Sequence, residues 1–99
     1  MPKISSRSSK VGRMLLRREA FTTGSGLSAV TDAPPSVGRL PTEWWPAYHA
    51  DRSAPGITYV VLSYATPIGW VCEDGRTVIP DESYSRTTRR HQLLISRWL

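Results

Sequence analysis

The clearest periodic pattern in the sequence lies in residues 86–98, RTTRRHQLLISRW. When side chains are plotted at about 100° per residue, one set falls within about 100° of arc. That set is Thr87, His91, Leu94, Ile95 and Trp98. A second set, centred about 120° away, holds Arg86, Arg89, Arg90, Leu93 and Arg97. The pattern predicts a helix with an apolar stripe that packs on the protein and an arginine face that points outward, with Ser85 as its N-cap.

Apolar and β-branched runs predict three strands between residues 57 and 79. The strongest is ITYVVLSY (57–64), which is apolar on both faces, as a central strand should be. IGWVCE and RTVI follow it and are separated by Asp74-Gly75, a two-residue hairpin signal. Because Thr66-Pro67 cannot continue a central strand, the chain is expected to turn there. These segments together predict a three-stranded antiparallel meander.

Weaker patterns precede the strands. Residues 10–21 place apolar side chains at helical spacing and predict a short N-terminal helix. FTTGSGLSAV (21–30) is interpreted as a loop, because two glycines interrupt it. It could cradle a phosphate but lacks the Walker pattern and its lysine, so that reading is disfavoured. TDAPPSVG (31–38) has the composition of a linker.

A short middle helix is predicted in RLPTEWWPAYHA (39–50), where Pro46 interrupts the pattern. Its Trp44, Trp45 and Tyr48 form either a core face or an exposed aromatic patch, and the core is favoured. The resulting fold class is α+β. Residues 1–9 are expected to be a flexible basic N-terminus. Residues 10–99 are expected to form one small domain, in which the meander carries the C-terminal helix on one face.

Charge is segregated along the chain, although its net value is only +5. Residues 1–20 carry six basic side chains and one acidic one, and residues 21–83 carry three and seven. Residues 84–99 carry four arginines and no acid. Basic charge gathered into segments indicates an anionic partner for those segments more than it indicates general solubility.

Composition excludes several classes of protein. The single cysteine, Cys72, rules out an intrachain disulfide framework. Uninterrupted apolar runs, such as residues 59–62, are far shorter than the roughly 20 residues that span a bilayer. The N-terminus lacks the apolar core of a signal peptide, but its Arg- and Ser-rich composition leaves a mitochondrial transit peptide open as an alternative.

The segments YVVLSYATPIGW and VIPDESYSRTTRRHQ resemble a family of small uncharacterised proteins encoded by bacteriophages of actinobacteria. Members of that family carry Ser-Tyr-x-Thr-Pro-Ile-Ala-Trp, Val-Pro-Asp and Tyr-Ser-x-Thr-Thr-x-x-His-Gln. These motifs correspond here to residues 63–70, 79–81 and 84–92. Gly69 replaces the usual alanine, and Pro46 is a second departure. The resemblance implies a phage origin, and hence the host cytoplasm, and it supplies no catalytic residues.

Candidate catalytic and metal-binding residues are few. His91 has hydroxyl groups near it in sequence, but a half-buried histidine bonded to a hydroxyl or carbonyl is favoured over a catalytic one. Cys72 is interpreted as an inert core thiol on the same strand face as Ile68 and Trp70. With His49, these residues are too scattered for a zinc site. We therefore expect no enzyme activity, no cofactor and no metal.

The favoured function is binding of nucleic acid, DNA more than RNA, by cations on the terminal segments. The candidate residues are Arg86, Arg89, Arg90, Arg97, Lys10, Arg13 and Arg17. Arginine suits this role because its planar guanidinium forms paired bonds to phosphate and to guanine. The alternatives are a host-protein partner, a structural role in a particle, and an arginine face that only solvates the helix.

Overall fold

The computed structural model describes residues 3–4, 9–82 and 86–99. Six strands form one sheet in chain order. They are β1 (Lys3–Ile4), β2 (Phe21–Thr23), β3 (Leu27–Val30), β4 (Ile57–Ser63), β5 (Thr66–Cys72) and β6 (Thr77–Val78). The helices are α1 (Ser9–Arg17), α2 (Trp45–Ser53) and α3 (Arg86–Trp98), with a 3₁₀ turn at Thr42–Trp44 before α2. The α+β class is confirmed, and so are the bounds of the last helix.

The predicted three-stranded meander is wrong, because the sheet is larger. Strands β2 to β6 are antiparallel neighbours, and the two-residue β1 pairs in parallel with β2. The segment interpreted as a loop is the β2–β3 hairpin. Its two glycines lie in the turn, while Phe21, Leu27 and Ala29 are fully buried. Alternating burial over such short strands gives a weaker sequence signal than the glycines between them.

The predicted turn at Thr66-Pro67 is also wrong. The turn lies two residues earlier, at Tyr64-Ala65, where both residues have positive φ, 49° and 68°. Thr66 and Pro67 begin β5, and Pro67 pairs with Leu62 next to a shift in register. A bulge is one of the few places where a proline is tolerated in a sheet.

That register shift leaves Ile68 as an extra residue in β5, because Val61 pairs with Gly69 while Leu62 pairs with Pro67. Alternation is broken there. Ile68 therefore packs on the opposite side of the sheet from Trp70 and Cys72. The expectation that these three residues share one face is wrong for Ile68.

The sheet has one hydrophobic cluster on each side. The first joins α1 and α3 to the sheet and contains Val11, Leu15, Phe21, Leu27, Ala29, Tyr59, Val61, Ile68, Val71 and Ile95. The second lies under α2 and the linker and contains Leu40, Tyr48, Val60, Leu62, Trp70 and Cys72. The protein therefore has three layers, with the two terminal helices on one side and the middle helix on the other.

The three aromatic residues of the middle segment are neither all core nor all exposed. Tyr48 is fully buried, Trp44 is half-buried and Trp45 is exposed. Pro46 lies at the start of α2, where a missing N–H removes no helical bond. Predictions for Ser85, and for residues 1–2 and 5–8 of the N-terminal segment, fall outside the described residues.

Candidate nucleic-acid interface

The four predicted arginines of α3 are all exposed. The buried residues of this helix are Thr88, His91, Gln92 and Ile95. Plotted at about 100° per residue, they lie about 180° from the arginines, not the roughly 120° expected for the apolar stripe. The difference arises because the helix buries polar Thr88 and Gln92. The arginine face consequently points straight away from the sheet.

Helix α1 has the same arrangement. Val11 and Leu15 are fully buried against the sheet, whereas Lys10, Arg13 and Arg17 are exposed. A cleft of about 180 Å³ runs along this side of α1 and is lined by all three cations. Met14 and Glu19 complete its lining, so one carboxylate lies at the edge of the basic surface.

Helices α1 and α3 lie against each other. The indole ring of Trp98 packs on Gly12, where an added Cβ would lie 2.5 Å from the ring. Arg18 then bridges the two helices: its Nη1 donates to the carbonyl of Leu15 at 3.0 Å and its Nη2 to that of Leu99 at 3.1 Å. We call the outward side of this helix pair, with the seven predicted cations, the basic surface.

The basic surface has few acids near it. Neither helix contains an acidic residue. The ion pairs between described residues join Arg76 to Asp51 and to Asp74, and none uses an arginine of α1 or α3. Asp81 and Arg89 line a common cleft of about 200 Å³ beside α3. The positive charge is therefore concentrated on one side of the molecule.

Arg18 is a residue that the sequence analysis did not assign to the site. It follows α1 with φ 58°, and the N–H groups of Arg18 and Glu19 bond back to the carbonyls of Leu15 and Met14. This is a Schellman motif, in which glycine usually takes the left-handed position. The side-chain bond across to Leu99 offers a reason for arginine here, and no local pattern in the sequence signals it.

His91 lies beneath the basic surface and does not contribute to it. Only 4% of the residue is exposed, and its Nδ1 lies 2.8 Å from the Oγ of Ser63. The same Oγ lies 3.0 Å from the hydroxyl of Thr88. Burial lowers the pKa of His91 below its ordinary value. The expected bond to a hydroxyl is confirmed, and His91 is buried more deeply than the half-buried position that the sequence analysis favoured.

Tyr64 was also missed. It is 58% exposed at the β4–β5 turn, and its backbone N–H donates to the carbonyl of Gly26 at 3.0 Å. Its ring lies 6.2 Å from the ring of His91, measured between centroids. Tyr-Ala is not a recognised turn sequence, so nothing in the chain indicated an exposed aromatic residue here.

On the other side of the sheet, Asp51 holds a compact polar cluster. Its carboxylate accepts bonds from the indole of Trp70 at 2.9 Å and from Arg76 at 2.7 Å. Burial alone would raise the pKa of Asp51, but these donors outweigh burial and lower it. Burial and the nearby Asp51 charge raise the pKa of the Cys72 thiol. Cys72 is thus a buried, protonated thiol, as expected.

Within residues 3–4, 9–82 and 86–99, no three His, Cys, Asp or Glu side chains are grouped so as to hold a metal ion. None of the three described helices has the length and apolar character needed to cross a membrane.

The fold and this surface define a class: a small α+β protein with two basic helices side by side on one face of an antiparallel sheet. Residues 8–97 match the family described as Family of unknown function (DUF8033), and the chain belongs to that family. No curated protein and no solved structure matches the chain.

Proposed function

We propose that this chain is a small, non-enzymatic phage protein that binds nucleic acid, DNA more than RNA, through the basic surface in the host cytoplasm. The observation that carries the proposal is the packing of α1 against α3. It brings cations from both ends of the sequence onto one side, and the two helices add no acid. The phage origin rests on the motif resemblance of residues 63–70 and 84–92.

The chemistry of phosphate binding fits this surface. Arginine guanidinium groups bind phosphate oxygens in pairs, and displaced counterions favour binding at low salt. Arg86, Arg90 and Arg97 lie within about 40° of one another on the helix, with Arg89 about 60° to one side. A nucleic-acid backbone lying along α3 would therefore meet several guanidinium groups at once.

The non-enzymatic part of the proposal rests on access. Ser63 and His91 are the closest approach to a nucleophile and its base, but Ser63 is only 1% exposed. Among the described groups that these two contact, no carboxylate orients the imidazole. A substrate atom could not reach the hydroxyl without opening the contact between α3 and β4.

A host-protein partner receives less support. Such an interface would combine the arginine face of α3 with the aromatic residues of the middle segment, Trp44, Trp45 and Tyr48. These two regions lie on opposite sides of the sheet. The aromatic side chains are also used internally. Trp44 donates to Glu82, Trp45 to the carbonyl of Leu40 and Tyr48 to that of Pro34.

The test is duplex DNA affinity at several salt concentrations for the wild type and for Arg86→Ala/Arg90→Ala/Arg97→Ala. Each phosphate contact contributes about 0.9 to the slope of log affinity against log salt, so the variant should lose up to about three units. Folding should be unaffected, because exposed charges rarely contribute more than about 1 kcal/mol. A wild type without salt-dependent binding would refute the proposal.

The matched control removes cations from the other side of the sheet. Arg39→Ala/Arg52→Ala lowers the net charge by two but leaves α1 and α3 intact. If the basic surface makes the contacts, this control should keep the wild-type slope. A loss of about two units would mean that net charge alone governs binding.

A further inference from the structure

The turn that presents Tyr64 is strained. A two-residue hairpin turn with positive φ at both positions normally uses Asn-Gly or a similar pair, because other side chains crowd the backbone there. Here both positions hold residues with a Cβ, Tyr64 at φ 49° and Ala65 at φ 68°. Ala65 has no polar side-chain group, and the Tyr64 hydroxyl makes no hydrogen bond to the residues that the structure describes. Strain of this kind points to a role for the residue that it displays.

The Tyr64 ring is supported by its neighbours. A Cβ atom on Gly26 would overlap the ring, so the glycine makes room for it against the β2–β3 turn. On another side, the His91 ring lies 6.2 Å away and is tilted by 36°. His91 is itself held by Ser63. The tyrosine is therefore positioned from beneath while more than half of it stays open to solvent.

Two arginines of the basic surface are neighbours of His91 along α3. Arg90 directly precedes His91 in α3, and Arg86 lies about one helical turn before it. Both are exposed. Proteins hold single-stranded nucleic acid by combining exposed aromatic rings, on which bases stack, with cations that pair with the phosphates.

We propose that Tyr64 is a stacking platform for an unpaired base of a nucleic acid whose phosphates bind Arg86 and Arg90. The inference rests on the proposed function and narrows its ligand to single-stranded DNA. Stacking does not depend on base identity, because every base has a π face. The platform should therefore distinguish single from double strands without selecting a sequence.

The experiment measures affinity, by fluorescence anisotropy, for a mixed-sequence single strand and for the matching duplex. Tyr64→Ala should weaken single-strand binding by about 5- to 150-fold, the range that corresponds to removing one stacked base. It should leave duplex binding and both salt slopes unchanged. Tyr64→Phe, which keeps the ring, should retain wild-type affinity for both forms.

Two further variants separate the ring from the backbone strain. Ala65→Gly relaxes the turn without touching the ring and should bind as the wild type does. Tyr64→Asn removes the ring but tolerates positive φ, so it should reproduce the loss even if Tyr64→Ala folds poorly. Circular dichroism checks that each variant is folded.

The outcomes are distinct. Tyr64 variants with unchanged affinity for the single strand would overturn the platform and leave the ring as a candidate contact for another protein. An equal loss on single strand and duplex would overturn stacking as the cause. In both cases the arginine-dependent salt slope of the wild type would still stand, whereas its absence would remove the proposed function itself.

Discussion

The two sides of the sheet use charge in opposite ways. On the α1–α3 side, the cations point into solvent and the helices contain no acid. On the α2 side, one carboxylate is buried and two others lie next to each other. Asp51 is buried and accepts hydrogen bonds from Trp70 and Arg76. A hydrogen bond to Glu82 and the negative charge of Glu82 raise the pKa of Glu43. A cleft of about 310 Å³ lies between Glu43, Trp44, Ala47 and Glu82.

The charge segregation along the sequence accounts for this difference between the two sides of the sheet. Two basic ends flank an acidic middle along the chain. Because the terminal helices share one face of the sheet and the middle helix takes the other, separation along the sequence becomes separation between two surfaces. One side is organised around an internal polar cluster, and the other presents exposed cations.

The largest loss of stability should come from replacing Asp51, on the α2 side of the sheet. Asp51→Ala removes the acceptor of the buried Trp70 N–H and should lower the free energy of unfolding by about 3 kcal/mol. Because its folded pKa is below 3.8, the aspartate contributes above about pH 4, and the contribution is lost as the pH falls through that folded pKa. Urea unfolding measures both effects.

The control for Asp51 is Asp32→Ala, at an exposed carboxylate on the same side. It should change stability by less than about 0.5 kcal/mol. Neither variant should alter the salt slope of DNA binding. A reduced slope in Asp51→Ala, measured under conditions where the protein is folded, would contradict the separation of the two sides.

The next prediction concerns the stability contribution of His91, which is buried beneath the basic surface. His91→Ala should cost about 1–3 kcal/mol by removing packing and the bond to Ser63. Since burial lowers the folded pKa of His91, its contribution is complete above about pH 6.5 and declines as the pH falls from there through the folded value. Thermal unfolding from pH 5 to pH 8 should show this decline in the wild type and not in the variant.

His49 provides the comparison, since it is an exposed histidine on α2. His49→Gln should keep the acid-side decline in stability. If His91→Ala left the melting temperature unchanged but abolished an activity, the histidine would have a catalytic role and not a structural one.

The smallest predicted change in stability concerns the contact between α1 and α3. Glycine-to-alanine in a helix normally stabilises by up to about 1 kcal/mol. At Gly12 the added methyl group would meet the Trp98 ring, so Gly12→Ala should instead cost about 1 kcal/mol net and flatten the salt slope. Gly24→Ala, where nothing lies within 4 Å of the added Cβ, is the neutral control. A stabilised Gly12 variant would show that the helices do not meet there.

The sequence predicted those elements whose own pattern was strong. Helix α3 has a sustained 3.6-residue period, and β4 is β-branched and apolar throughout. The turn at Asp74-Gly75 was found because it uses ordinary turn residues, although the loop there is closed by Cys72 and Arg76. Local chemistry was sufficient in these places.

The remaining features depend on contacts that no local pattern carries. The turn at Tyr64-Ala65 lacks turn residues, so its position was assigned to Thr66-Pro67 instead. The bulge at Ile68 reverses the alternation on which a face assignment relies. The sequence identified the cations of α1 and α3 as candidates. It did not show that they share one surface, because that depends on the contact of Trp98 with Gly12, between distant parts of the chain.

That contact also ties the basic surface to the folding of the whole chain. The Arg18–Leu99 bond joins positions 81 residues apart, so forming it closes a loop of that length. Closing so long a loop costs conformational entropy, and contacts of this range typically form late in folding. A partly folded chain would carry the same cations but present them as two unconnected basic segments. Tight binding would then report complete folding, and a ligand that spans both helices would in turn stabilise the native state.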